Sequence, residues 1–133
     1  MSIYLQHPSA ILSSSITLPT SKSISNRVLM IHHILHQQFT IIGLSTAADT
    51  QILKQVLEQN SNSIDVGHAG ATMRFLTAYF AATEGKNVVL SGSERMHQRP
   101  INILVEGLKA LGADIQYLTN EGFPPLQING KNL

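Results

Sequence analysis

The chain has 133 residues, enough for one domain with a modest core. Hydrophobic residues make up 43% and charged residues 13%, a globular balance that is too apolar for a disordered tail. Nine basic against eight acidic residues leave a formal charge of +1, so no global field argues for nucleic acid or a membrane surface, and any electrostatic function must be local. The absence of cysteine excludes a disulfide scaffold, a thiolate nucleophile and a thiolate metal site. No apolar run reaches the ~18 residues of a membrane span, and "MSIYLQHPSA" lacks the basic start and apolar core of a signal peptide, so the sequence reads as a soluble cytoplasmic protein.

In chain order, the apolar positions from Ile24 through Val28, Ile31 and Leu35 recur at helical spacing, and "FTIIG" follows as a short β-branched run closed by Gly43, which predicts a strand. A second helix is predicted from Asp49, with Ile52, Leu53, Val56 and Leu57 on one face, before the polar turn "EQNSNS". "SIDVG" reads as a short strand, Ala71 to Thr83 as a third helix stopped by Gly85, and "NVVLSG" as a buried strand. Pro100 suits the first position of a fourth helix whose stripe is Ile101, Leu104, Val105, Leu108 and Leu111, with Gly112 as a left-handed stop. "ADIQYL" and "PLQING" follow as strands around the turn "TNEGFPP". Residues 62–129 thus spell strand, helix, strand, helix, strand, strand, and 11–58 spell the same order without its last two strands, which implies two copies of one unit with the first cut short.

All four arginines, Arg27, Arg74, Arg95 and Arg99, sit in three short segments that place small or hydroxyl residues at helix starts, and Lys22 joins them. In "PTSKSISNR", Ser21, Lys22 and Ser23 lie where free backbone N–H groups and the helix dipole favour an anion, with Arg27 one turn inside. A capping serine beside solvated charges fits the same residues. A nucleotide P-loop does not, because the glycines that wrap a pyrophosphate are missing upstream. "GHAGATMRF" repeats the pattern, its small residues allowing close backbone approach before Arg74, and a tight turn chosen for packing is the alternative. "SGSERMHQRP" sets Arg95 and Arg99 four apart, and paired guanidinium groups suit carboxylate or phosphate unless Glu94 neutralises one of them. His32 and His36 are one helical turn apart, but His33 stands where a zinc helix motif carries glutamate, so a metal site is not expected.

"LPTSKSISNRVLM", "GHAGATMRFLTA" and "SGSERMHQRPINILVEGLKALGA", in that order, resemble the N-terminal part of the 5-enolpyruvylshikimate-3-phosphate synthase family, from about Ile16 to Ile128 and including the "PPL" turn at Pro124 to Leu126. The resemblance implies an α/β fold, the inside-out α/β barrel of the enolpyruvyl transferases, with two lobes each built from βαβαββ repeats. Residues 1–18 would then be N-terminal strands pairing partly with the missing lobe, and 19–133 a partial substrate-binding lobe, with a shortened first repeat over 19–60 and a second over 61–130. It also implies transfer of the enolpyruvyl group of phosphoenolpyruvate to shikimate 3-phosphate, without metal or organic cofactor, by a full-length enzyme that is monomeric.

By that resemblance Lys22 touches both substrates and is the catalytic residue, Ser23 and Arg27 hold shikimate 3-phosphate, and His68, Gly70, Ala71 and Arg99 bind phosphoenolpyruvate, with Arg74 and Arg95 supporting. The sequence departs from the family's frequent Asn-Ala-Gly-Thr at His68 to Ala71, from its frequent proline at Phe75, and from its hairpin at "EQNSNSID". Family members are roughly three times as long, so the expectation is a fragment that binds without turnover and self-associates through unpaired strand edges. Three other readings stay open: a transferase acting on UDP-N-acetylglucosamine, a non-catalytic anion-binding module, and a structural or interaction domain with no ligand.

Overall fold

A computed structural model of the chain describes residues 2–6, 8, 11, 13–36 and 38–133. In order, the described elements are α1 (Lys22–Ile34), α2 (Ala48–Glu58), β1 (Ser63–Asp65), α3 (Gly70–Ala81), β2 (Asn87–Ser91), a 3-10 turn (Met96–Gln98), α4 (Asn102–Ala110), β3 (Asp114–Tyr117) and β4 (Leu126–Asn129). From β1 onward this is the strand, helix, strand, helix, strand, strand order that the sequence spells.

The four strands form one mixed sheet in the order β1-β2-β4-β3, with β1 parallel to β2 and β4 antiparallel to both β2 and β3. A parallel β1–β2 pair needs a crossover, and α3 supplies it. Alternation sorts the two faces: Val88 and Leu90 of β2, Leu126 and Ile128 of β4 and Ile115 of β3 are buried. Register sets Val88 opposite Ile128 and Leu90 opposite Leu126, so this apolar face is continuous, and α3 packs on β2 and β4 while α4 packs on β3. The outer face is polar, where Asn87, Gln127 and Asn129 bond one another across the ladder. Helix α2 packs on α3, and α1 on α2, which carries the core outward through Leu53, Met30 and Leu29.

Several expectations need correction. "FTIIG" forms no strand among the described residues, and Ile42 is 92% exposed, because no sheet strand lies beside it to complete a ladder. The stripe Ile24, Ile31 and Leu35 of α1 does not face the core. Ser25, Asn26, Leu29 and Met30 do, one step around the helix, while those three apolar residues stay exposed. Helix α4 begins at Asn102 rather than Pro100, since the Ile101 N–H is taken by the Gly122 carbonyl at 2.8 Å and the chain turns there before winding. Gly112 does adopt the expected left-handed conformation, at φ 104°.

The described part of 2–18 holds no helix or strand, and Ile3, Tyr4, Leu5, Ile11, Ile16 and Leu18 are between 76% and 90% exposed. Met1, His7, Ser9, Ala10 and Leu12 fall outside the described residues, as does Gln37, so the expected strands at 1–18 are described only in part.

Candidate anion-binding site

Helix α1 starts from an extended Ser21, whose hydroxyl accepts the Ile24 N–H at 3.4 Å and caps the first turn. Lys22 extends from this start and donates to Asp49 Oδ2 at 3.2 Å. Asp49 lies in the first turn of α2, where the dipole favours its charge. The ammonium is half-exposed, so the pair contributes little to stability and serves to aim the lysine. Arg27 folds back as the spacing implied: its Nη1 donates to the Ser23 carbonyl at 3.0 Å and to the Ser23 hydroxyl. Its guanidinium lies 5.9 Å from the Phe75 ring centroid, a cation–π contact that brings α3 beside it.

Beneath these exposed groups, buried polar contacts fix α1 against α2. Thr50 Oγ1 donates to Asn26 Oδ1 at 2.7 Å, with both residues almost fully buried, and Ser25 Oγ accepts the Ser45 N–H at 3.0 Å. Thr72 Oγ1 of α3 then donates to the Asp49 carbonyl at 3.1 Å, which joins the start of α3 to the start of α2. Three helix N-termini therefore meet around Asp49.

Gly70 opens α3, and its lack of a side chain is used. A Cβ there would lie 2.5 Å from Arg99 Nη1 and 2.9 Å from its Cζ, so the Arg99 guanidinium rests directly on the glycine. Ala71 is the exposed next residue of that turn. Arg74, one turn in, donates from Nη1 to the Gly70 carbonyl at 3.3 Å and from Nη2 to the Pro100 carbonyl at 2.9 Å, which ties the entry to α4 to the start of α3. Arg95 and Arg99 flank the 3-10 turn instead of sharing a helix face, and with His68 and Met96 they line a pocket of about 380 Å³. His68 Nδ1 sits 2.7 Å from Ser93 Oγ.

The structure thus links Lys22, Ser23 and Arg27 to Gly70, Ala71 and Arg74, and these to His68, Arg95 and Arg99, through Asp49, Thr72 and Phe75. Sequence reasoning missed two partners. Asp49 was visible as a helix-start acid, and only the α1–α2 packing makes it the partner of Lys22. Ser93 was one hydroxyl among many. The histidines of α1 turn elsewhere: His32 packs edge-on to Phe39 and His33 edge-on to Tyr79, and among the described residues no group of three or more His, Asp or Glu could hold a metal.

A sheet covered on one face by helices whose starts converge, with an ammonium and four guanidinium groups at that end, defines an α/β unit whose exposed cations and helix starts have the chemistry that suits anions. The model of the family EPSP synthase (3-phosphoshikimate 1-carboxyvinyltransferase) matches residues 53–133. The 3-phosphoshikimate 1-carboxyvinyltransferase of Bacteroides fragilis (strain YCH46) is 48% identical over all 133 residues, which span 32% of that relative, and the one from Cupriavidus necator is 39% identical over 86% of this chain and 31% of its own. Among solved structures, an EPSP synthase from Acinetobacter baumannii superposes with a TM-score of 0.70 at 22% identity, covering 86% of this chain and 31% of that one. The chain belongs to the EPSP synthase family and has the fold of part of that inside-out α/β enzyme. It spans about a third of the length of these curated relatives.

Proposed function

We propose that this chain carries a substrate-anion site of a 3-phosphoshikimate 1-carboxyvinyltransferase, which moves the enolpyruvyl group of phosphoenolpyruvate onto shikimate 3-phosphate and releases phosphate. The observation that carries the reading is the Arg99 guanidinium laid on Gly70 at the start of α3, with the starts of α1 and α2 joined to it through Asp49. Ser23 and Arg27 hold shikimate 3-phosphate. His68, Gly70, Ala71 and Arg99 receive phosphoenolpyruvate, Arg74 and Arg95 support that subsite, and Lys22 reaches both ligands. Two anions brought together repel, and helix starts with fixed cations offset that repulsion without reorganising during the reaction. In the reaction the enol methylene of phosphoenolpyruvate gains a proton, the shikimate hydroxyl attacks the resulting cationic carbon and gives up its own proton, and the tetrahedral adduct expels phosphate as its methyl group loses a proton to restore the carbon–carbon double bond.

In this reading the proton-transfer groups lie in the two thirds of the relatives that this chain does not span, no metal or organic cofactor takes part, and the location is cytoplasmic. No described helix is long and apolar enough to cross a membrane, and in this reading neither nucleic acid nor membrane is a partner. The full-length enzyme is a monomer, whereas the 133 residues self-associate through the apolar groups exposed on 2–18 and on α1.

Calorimetric titration tests the site. Shikimate 3-phosphate should bind more tightly than inorganic phosphate, and replacing Lys22 or Arg27 by alanine should each weaken it about tenfold or more. Equal affinity for the two ligands would leave only a general anion-binding module, and full turnover by the 133 residues would contradict the placing of the proton-transfer groups.

A further inference from the structure

The loop before α3 and the loop after β2 are tied together by their backbones. Ser93 N–H donates to the Gly67 carbonyl at 3.0 Å, and Gly67 N–H is held by Asp65 Oδ1 at 2.7 Å. Gly92 packs so closely on this junction that a Cβ there would lie 2.8 Å from the Gly67 carbonyl oxygen. The residue after Gly67 therefore meets the residue after Gly92, and their side chains, His68 and Ser93, face each other at 2.7 Å. The Ser93 hydroxyl oxygen also accepts the Met96 N–H at 3.3 Å. A hydroxyl has one proton and two acceptor lone pairs, so with one lone pair taken by Met96 the Ser93 proton can still be donated to His68 Nδ1. A neutral imidazole that accepts at Nδ1 carries its own proton on Nε2. The same side chain lines the pocket with Arg95, Met96 and Arg99.

We infer that Ser93 is a positioning residue: its hydroxyl fixes the ring and tautomer of His68 so that Nε2–H donates to the anion held by Arg99. The inference rests on the anion-site reading above and deepens it, because it assigns a role to a residue outside the three helix starts. Ser93 does not touch the ligand. It acts only through His68, so its effect must vanish when the imidazole is gone.

Two measurements on the 133-residue chain test this. Nitrogen-15 NMR of the ligand-free chain at about pH 8.5, where histidine side chains are ordinarily neutral, should show His68 as the Nε2–H tautomer, with Ser93→Thr keeping it and Ser93→Ala giving a mixture. Titration with phosphoenolpyruvate in the presence of shikimate 3-phosphate should show Ser93→Ala about three- to tenfold weaker, Ser93→Thr near wild type, and no further loss when Ser93→Ala is added to His68→Ala. An Nδ1–H tautomer in the wild type, or additive losses in the double variant, would overturn the role of Ser93. Arg99→Ala, run in the same series, separates the two levels: binding unchanged by that substitution would overturn the anion-site reading and the ligand of this inference with it, whatever tautomer is found.

Discussion

Replacing Gly70 by alanine separates stability from function at a single methyl group. A Cβ at this position would sit 2.5 Å from Arg99 Nη1, 2.9 Å from Cζ and 3.0 Å from Nη2. Ordinary carbon–nitrogen contacts need about 3.5 Å, so the guanidinium must retreat by roughly 1 Å. That retreat is cheap for folding, because the obstacle is the far end of a flexible, exposed side chain. Alanine is also the better helix former by up to about 1 kcal/mol. The melting temperature should therefore stay level or rise. For the ligand the same shift removes a charge-assisted, two-pronged contact, a loss of about 1.5–3 kcal/mol, or roughly 10- to 150-fold in affinity. Calorimetric titration with phosphoenolpyruvate in the presence of shikimate 3-phosphate, beside a thermal melt of the same sample, reads both quantities. Wild-type affinity in Gly70→Ala would refute the placing of the ligand at this contact, and destabilisation by more than about 1 kcal/mol would refute the claim that only the guanidinium is displaced.

Gly130 should behave in the opposite way. A Cβ there would collide with the Thr83 carbonyl oxygen and lie 2.6 Å from that of Phe80, both backbone atoms at the end of α3, so Gly130→Ala should lower stability by about 2 kcal/mol or more in urea unfolding, and an unchanged midpoint would contradict the packing of β4 on α3. Asn26→Ala leaves the Thr50 hydroxyl buried without its acceptor and should cost about 1–3 kcal/mol, most of it recovered by adding Thr50→Val; a full additive loss would mean that the two residues do not pair. Burial first, then the neighbouring charges of His32, His36 and Lys86, lowers the pKa of His33 below its ordinary 6.5. The unfolded chain therefore takes up that proton more readily than the folded one. The stability associated with the neutral ring is present above about pH 6.5 and is lost as the solution is acidified through the lowered folded value, so unfolding midpoints should drop on acidification below about pH 6.5, and less so in His33→Gln. An equal drop in that variant would remove His33 as a cause.

Residues 62–129 were readable in the sequence because each of their signals is local. Val88, Val89 and Leu90 form a short apolar run between Asn87 and Ser91, Gly112 marks the stop after α4, and the Ile101-to-Leu108 stripe has a partner in β3. The stretch before them, 19–60, was only half readable. Its apolar stripe on α1 is genuine, but it is the surface that α1 leaves exposed, while a face carrying Ser25 and Asn26 is buried because those side chains find Ser45 and Thr50. A pattern of hydrophobicity cannot show that buried polar groups are paired. The extended run at Ile42 failed for a related reason, since a strand exists only through its neighbour. At the site, the cations and the glycine that accommodates Arg99 could be picked out from residue type and helix-start position. Their partners Asp49 and Ser93 could not, because both contacts join segments at least 25 residues apart in sequence and depend on how α1 packs on α2 and how β2 returns beside β1.

The most direct test of the account is a map of amide chemical shifts during titration of the 133-residue chain with shikimate 3-phosphate and phosphoenolpyruvate. Saturable shifts confined to the starts of α1, α2 and α3, the His68 loop and the segment from Ser93 to Arg99 are the expected result. Saturable shifts centred elsewhere, such as the groove between α1 and α3 lined by Met30, Phe75 and Tyr79, or no saturation at any residue, would contradict it.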